Sequence, residues 1–183
     1  MKPNDKTFFE RSIESESPPM RPWFEVDWAT ERDLIFAVGC PNKPHNPRAD
    51  AHPDTFTSGL WQHDVGELFI KHAEDDRYLE INLGPRGSWW ACLLGCYRQP
   101  AGDPEQAPFV PKSIASEITE TSWETRLTIP AEFLQTALQL GATSRVNVCF
   151  ILGPADARHH FSWAPLPHDP PDFHHVEDFV PLC

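Results

Sequence analysis

Side chains that could bind a small polar molecule are concentrated between positions 60 and 98. Alternate residues of a β-strand lie on one face, so Trp61 and Glu67 share a face if the segment LWQHDVGELFIKH is extended. In the next segment, YLEINLG, Glu80 and Asn82 lie on the polar face and the aliphatic residues between them lie on the other. The spacing therefore predicts neighbouring strands that together carry an indole, two carboxylates and an amide.

A guanidinium completes this group of side chains. The third segment, residues 89–98, is apolar on both faces until Tyr97 and Arg98. A sugar ring offers C–H faces that stack on aromatic rings, and its hydroxyl groups pair with charged and amide side chains. The three segments therefore indicate a saccharide site. The alternative interpretation is that a buried tryptophan and an Arg–Glu pair simply close one end of a sheet.

The overall composition of the chain argues against two classes of binding partner, nucleic acids and membranes. A chain of 183 residues fits one domain, and its 20 prolines disfavour long helices, because proline lacks a backbone donor. The net charge of −12 would repel a phosphate backbone, so we expect no nucleic-acid partner. A polybasic patch and an apolar run of membrane-spanning length are both absent, so we expect no membrane partner either. The oligomeric state is not indicated.

The ends of the chain and the cysteines favour a cytoplasmic protein. The first twenty residues contain no apolar stretch of the kind found in a secretory signal. The five cysteines are an odd number, and most lie in apolar runs, where a free thiol packs as a small hydrophobe. Cys92 and Cys96 would be about 13 Å apart on a strand, too far for a disulfide. We therefore expect reduced thiols.

The order of segments predicts an all-β protein, an antiparallel β-sandwich with one short helix. We interpret residues 1–20 as an N-terminal arm and residues 21–183 as a single domain. Segments of strand length lie at 23–28, 34–40, 60–72, 78–84, 89–98, 123–129, 145–152 and 161–164. The helix is expected near residues 130–140, since Pro130 suits a first turn and Gly141 lies beyond its end.

Several short motifs resemble a known family. They are LWxxDxxELF from Leu60, YxEIN from Tyr78, WWA from Trp89, YR at Tyr97, SWAPL from Ser162, PPDFH from Pro170 and Phe179. In this order they resemble DOMON-like β-sandwiches related to family 9 carbohydrate-binding modules. The resemblance runs from about residue 25 to the C-terminus and implies the same sandwich fold.

The resemblance also implies a function. Some domains of this kind bind sugars and others bind haem, and no enzyme activity is implied. In the sugar-binding members two tryptophans clamp a terminal sugar, and the matching positions are Trp61 and Trp163. Glu67 would accept a hydroxyl proton and Arg98 would donate, while His160 stands where those members have an amide. The residues expected to bind a small saccharide are Trp61, Glu67, Glu80, Asn82, Arg98, His160 and Trp163.

The sequence favours haem and metal ions less than a saccharide as ligands. Haem would need axial His or Met ligands, but Met1 and Met20 lie outside the sandwich, so haem is less favoured. No HExxH motif or paired CxxC motif is present, so no catalytic or transition-metal site is expected. A structural calcium at the loops 52–54 or 74–76 stays open. No cofactor is expected otherwise.

Two further alternatives concern the site itself. Glu67 and Glu80 could form a glycosidase pair, but nothing in the sequence raises the pKa of Glu80. The domain could also be a structural or interaction sandwich without a small-molecule ligand. His174 in the PPDFH motif is expected to hold the closing strand through hydrogen bonds. No residue is predicted to be catalytic.

Overall fold

The computed structural model describes residues 6–29, 31–166 and 171–182. Its strands are β1 (Thr7–Phe8), β2 (Trp23–Asp27), β3 (Leu34–Cys40), β4 (Val65–Lys71), β5 (Tyr78–Leu83), β6 (Trp89–Cys96), β7 (Gln99–Pro100), β8 (Ser113–Ile118), β9 (Trp123–Ile129), β10 (Arg145–Leu152), β11 (His159–Ser162) and β12 (Val180–Pro181). One sheet has the order β1-β2-β3-β9-β8, and the other has the order β11-β10-β4-β5-β6-β7 with β12 also paired to β10. All of these pairings are antiparallel. The all-β sandwich expected from the sequence is thus confirmed.

The main core lies between the two sheets. Aliphatic and aromatic residues from alternate positions of both sheets are fully buried there, including Phe36 and Val38 from β3, Leu68 and Ile70 from β4, and Phe150 from β10. Each buried side chain of this size contributes roughly 1.5–3 kcal/mol to the free energy of folding. Strand β3 is central in its sheet and almost entirely buried, as its uninterrupted apolar sequence predicts.

The single α-helix, α1, spans Ala131–Leu138 and agrees with the predicted position. Pro130 is extended and precedes it, and the Asp33 carboxylate accepts the N–H of Ala131 at 2.9 Å. Leu138 and Leu134 are buried, so the helix packs one face on the core. The residue that ends it is Gln139 in the left-handed region, with φ 47°, rather than the glycine two residues later. In the part of the chain described here, no helix has the length and apolar character needed to cross a membrane.

The pattern of apolar and polar residues in the sequence does not predict strand β8. It pairs along its whole length with β9, but nearly all of its side chains are exposed. A sheet edge with solvent on both faces needs no alternation of apolar and polar residues, so its sequence resembles a loop.

The N-terminal arm is attached to the sandwich by pairing and by burial. Strand β1 pairs with β2, and Phe9 is buried in the core, where it packs against Phe24 and Phe150. The neighbouring Phe8 is exposed. Met20, expected outside the sandwich, is buried in the same core, so Phe9 and Met20 both anchor the arm.

A second apolar cluster covers the outer face of the sheet that contains β4, β5 and β6. It consists of Leu60, Val65, Phe69, Tyr78, Trp90, Cys92, Leu94, Cys149, Phe173 and Phe179. Phe173 and Phe179 belong to the C-terminal segment 171–182, which lies across this face. The sheet is consequently buried on both faces over part of its area, and a recess remains where the cover ends.

The four cysteines within the described ranges form no disulfide, and Cys183 lies outside those ranges. Burial raises the pKa of Cys40 and of Cys92 to about 11. Cys149 is fully buried, and burial raises its pKa as well. These three thiols therefore pack as hydrophobic groups and are poor nucleophiles.

Candidate functional site

The recess on the outer face of the β4–β5–β6 sheet is a cavity of about 470 Å³. Its walls combine two indoles, two carboxylates, a guanidinium and two imidazoles with apolar side chains. The lining residues are Trp61, Glu67, Glu80, Trp90, Cys92, Leu94, Arg98, Pro100, Pro104, Ile151, His160, Pro171, Phe173 and His174. Five of the seven side chains expected from the sequence thus meet in one place.

The aromatic part of the cavity is a corner formed by two tryptophans. Trp61 is 41% exposed, and its ring lies 5.2 Å from that of Trp90 at an interplanar angle of 65°. Trp90 is buried, and its Nε1 donates to the carbonyl of Pro104 at 2.9 Å. The two rings meet edge to face, so they form two adjacent walls and not a pair of parallel plates.

Trp61 reaches this position from a 3-10 turn. The sequence predicts a strand from residue 60, but Leu60–Gln62 form a single 3-10 turn after Gly59, which has φ 80°. Strand β4 begins only at Val65. The alternation that placed Trp61 with Glu67 therefore does not apply, and the two meet because the turn folds back toward the sheet.

Arg158, which the sequence analysis did not identify, holds this turn. Its Nη1 donates to the carbonyl of Gln62 at 3.0 Å, and its Nη2 donates to the carbonyls of His63 and Ile151. Burial lowers the pKa of Arg158. A partly buried arginine that donates to backbone carbonyls leaves no sequence pattern, so its role is visible only in the folded chain.

The floor of the cavity carries the two carboxylates. Glu67 on β4 is 3% exposed and Glu80 on β5 is 6% exposed. Among the described residues no hydrogen bond reaches the carboxyl group of Glu67, whereas Glu80 Oε1 accepts from Asn82 Nδ2 at 3.1 Å. Burial, together with the charge of Glu80, raises the pKa of Glu67 well above its usual range. Burial also raises the pKa of Glu80 to about 7.

Asn82 is a neighbour of the cavity and does not line it. Its side chain is fully buried, it pairs across the sheet with Glu67 and Trp90, and it orients the carboxylate of Glu80. Its Oδ1 has no hydrogen-bond partner among the described residues. Asn82 therefore lies on the same face of the sheet as Glu67 and Trp90 and supports the floor of the cavity through Glu80.

Arg98 reaches the cavity from the end of β6 and is already paired. Its Nη2 donates to Asp172 Oδ1 at 2.8 Å, and the Tyr97 hydroxyl donates to Asp172 Oδ2 at 2.5 Å. Burial alone would raise the pKa of Asp172, but hydrogen bonds from Tyr97, from the His174 N–H and from Arg98 lower it to about 2. Arg98 itself has φ 55°, and its N–H donates to the Tyr78 hydroxyl at 3.0 Å.

Two histidines complete the walls. His174 Nδ1 lies 2.8 Å from the Tyr78 hydroxyl, and its Nε2 lies 3.9 Å from Glu80 Oε2. Burial, then the charge of Arg98, lowers the pKa of His174 to about 4, so the ring is neutral at pH 7. His174 thus forms a side-chain hydrogen bond to Tyr78 of β5; that it holds the closing strand stays a prediction. His160 pairs with Glu14 of the arm, through Nδ1 at 2.5 Å and its backbone N–H at 2.9 Å.

Trp163 does not reach the cavity, which corrects the expected clamp with Trp61. Its ring lies 5.4 Å from that of Phe24 and 6.4 Å from that of Phe9. The reason is the two-residue period: His160 and Ser162 face the outer side of the sheet, so Phe161 and Trp163 point toward the inner core. The indole beside Trp61 is instead Trp90.

Within ranges 6–29, 31–166 and 171–182, no group of three or more His, Cys, Asp or Glu side chains is placed to hold a metal ion. Of the acidic positions raised by the sequence, Asp75 is occupied by Arg77 and His72. Asp64 accepts backbone N–H groups of His45 and Asn46, and also that of Gly153.

Comparison with known proteins gives distant similarities. No family model matches the chain. The chain is similar to the UPF0462 protein C4orf33 homolog of Danio rerio, with 25% identity over 155 residues, covering 81% of this chain and 74% of that protein. It is similar to the Mus musculus homolog at 28% identity over 160 residues, covering 83% and 77%.

A similarity also exists to one solved structure, a "putative carbohydrate-binding protein" from Bacteroides uniformis. The TM-score is 0.66 at 18% identity, and the match covers 87% of this chain and 76% of that chain. At this identity the match establishes the shared sandwich fold.

Proposed function

We propose that this protein is a non-catalytic saccharide-binding domain that holds one small sugar in the cavity between Trp61, Trp90 and the buried carboxylates. The observation that carries the proposal is an exposed indole standing over two buried, hydrogen-bonding carboxyl groups. One apolar face of the sugar would lie on Trp61, and its hydroxyls would reach Glu67 and Glu80. The DOMON-like resemblance and the similarity to the carbohydrate-binding protein of Bacteroides uniformis support this function.

The size and construction of the cavity support a small ligand. Its volume of about 470 Å³ lies within the range of roughly 300–1,000 Å³ that is common for small-molecule sites. The carboxylates are placed by paired strands, and Trp61 is placed by the Arg158 hydrogen bonds. Such a preformed site loses little conformational entropy on binding.

Replacing Trp61 tests the proposal directly, and Trp163 provides a matched control. Both indoles are 41% exposed, but only Trp61 lines the cavity. Stacking on an aromatic ring is worth about 0.5–1.5 kcal/mol beyond the buried area. We expect Trp61→Ala to weaken binding of a sugar from a monosaccharide and disaccharide panel at least about tenfold, measured by isothermal titration calorimetry.

The control variant, Trp163→Ala, should bind the same sugar with nearly wild-type affinity at a temperature where both variants are folded. Equal losses in the two variants would contradict a site at Trp61. A wild-type protein that binds no sugar of the panel would favour a structural or interaction sandwich without a small-molecule ligand.

The two carboxylates also raise a second candidate, a glycoside hydrolase. The raised pKa values of Glu67 and Glu80 supply the protonated acid that such enzymes need. However, both side chains rise from the same face of one sheet, on adjacent strands, whereas a glycosidase pair flanks the scissile bond from two sides. We therefore expect no release of nitrophenol from aryl glycosides by the wild-type protein. Turnover that disappears in Glu80→Gln would establish the enzyme instead.

A further inference from the structure

The charges around the cavity are not balanced. Two guanidiniums act on its floor, Arg98 from the rim and Arg158 from behind the Trp61 turn. Arg98 is paired with Asp172 at 2.8 Å, and Arg158 faces the charge of Asp64 and donates to backbone carbonyls. The Arg98 guanidinium therefore has a carboxylate of its own, and the Arg158 guanidinium is held by backbone carbonyls.

The imidazoles add no free cation. His174 is neutral at pH 7, because burial and the charge of Arg98 lower its pKa to about 4. His160 is paired with the Glu14 carboxylate at 2.5 Å, so with Glu14 ionised this pair carries no net positive charge. Arg98 and Arg158 therefore act on Glu67 and Glu80 only at longer range, and among the described residues no charged group forms an ion pair with either carboxyl group.

The energetic cost of this imbalance falls mainly on the carboxyl group of Glu67. It is 3% exposed, it lines the cavity, and no hydrogen-bond donor among the described residues reaches its carboxyl group. A buried carboxylate without a partner is strongly unfavourable, so either a proton or a bound cation must satisfy it. A cation that pairs with Glu67 would be bound in the cavity that this residue lines.

The aromatic corner suits the same kind of partner. The faces of Trp61 and Trp90 are adjacent walls above the floor, and the face of an indole attracts a cation by about 0.5–2 kcal/mol, depending on desolvation. An ammonium group between indole faces and two carboxyl groups would be favoured by both. A phosphate or carboxylate on the ligand would be repelled.

We propose that the saccharide bound in this cavity carries a positively charged amine, so that the site selects amino sugars over neutral and acidic sugars. This inference rests on the proposed function and specifies its ligand class. The ammonium would lie against Glu67, with Glu80 as the second acceptor, and the ring would stack on Trp61.

The charged and titratable groups around the floor determine how a proton and an ammonium group would compete for the Glu67 carboxylate. Burial, with the charge of Glu80, raises the pKa of Glu67, and the charges of Arg98 and Arg158 oppose the shift. The remaining titratable neighbours are Tyr78, Cys92, Cys149, His160, His174 and Asp172. An ammonium would stabilise the ionised carboxylates, so an amino sugar should displace protons that the empty site holds.

The test compares each common aldohexose with its 2-amino counterpart and its 2-acetamido counterpart, by calorimetry at neutral pH in low salt. We expect the amino sugar to bind at least about tenfold more tightly than the neutral sugar, and the acetamido sugar to lose this advantage because its nitrogen is uncharged. In Glu67→Gln the ratio between amino and neutral affinities should fall toward one. Calorimetry in two buffers of different ionisation enthalpy should detect proton release for the amino sugar alone.

The possible outcomes separate this inference from the proposed function. Neutral sugars that bind as tightly as amino sugars would overturn the inference and leave the saccharide site standing. A preference for amino sugars that persists in both Glu67→Gln and Glu80→Gln would also overturn it, since the charge would then come from elsewhere. Binding of neither class would overturn both proposals.

Discussion

Replacing Asp64 by alanine should destabilise the protein more than any other single change to a polar residue near the site. Asp64 is 2% exposed, and its carboxylate accepts the N–H groups of His45 at 2.6 Å, Asn46 at 2.8 Å and Gly153 at 2.9 Å. Alanine would leave three backbone donors without a partner, each costing about 1–3 kcal/mol if it stays buried. Because the loop can relax, we expect a loss of about 3–5 kcal/mol in the free energy of unfolding.

The structural consequence would extend to the binding site. The loop that contains His45 and Asn46 also contacts the turn of Trp61, since Asn46 Nδ2 donates to the carbonyl of Gln62 at 3.2 Å. Urea unfolding, followed by circular dichroism, would measure the stability change. Asp50→Ala is the matched control, because Asp50 is an exposed carboxylate of the same loop that pairs only with Arg48. An exposed ion pair contributes little to stability, so a similar effect of both substitutions would refute the role given to Asp64.

Replacing Glu80 by glutamine should change the pH dependence of stability. Burial raises the pKa of Glu80 from 4.5 to about 7. For a carboxyl group whose pKa is raised by folding, the stability contribution is fully present below 4.5 and is lost as the pH rises through about 7, because the unfolded chain gives up its proton first. The shift corresponds to at most about 3 kcal/mol.

Glutamine keeps the acceptor for Asn82 and removes the titration. The free energies of unfolding of Glu80→Gln and wild type are to be compared below pH 4.5 and again above pH 7. Between these two ranges we expect the difference to move in favour of Glu80→Gln by up to about 3 kcal/mol. His174, with its pKa lowered to about 4, works in the opposite direction in the same window, but it is present in both proteins and largely cancels. Glu117→Gln, at an exposed position of strand β8, is the matched control for the substitution itself. A constant difference between wild type and Glu80→Gln would contradict the raised pKa.

The sequence alone was sufficient for the fold class, because burial at alternate positions is a local property of each strand. Strand β3 reads as an unbroken apolar run and lies at the centre of its sheet, and α1 lies where Pro130 and the apolar spacing place it. Glu67 and Glu80 could be placed on neighbouring strands for the same reason, since consecutive antiparallel strands usually pair. Where solvent covers both faces, as on β8, this signal is missing.

Only the tertiary structure decided which side chains meet around the cavity. The position of Trp61 depends on a 3-10 turn held by Arg158, almost a hundred residues away along the chain, and no local pattern encodes such a contact. The same holds for Trp163, whose side of the sheet is set by the register of β11 against β10. Charge balance is likewise a property of the folded chain: Arg98 looks free in the sequence, but folding pairs it with Asp172. Glu67 becomes a buried carboxyl group that no hydrogen bond reaches in the part of the chain described.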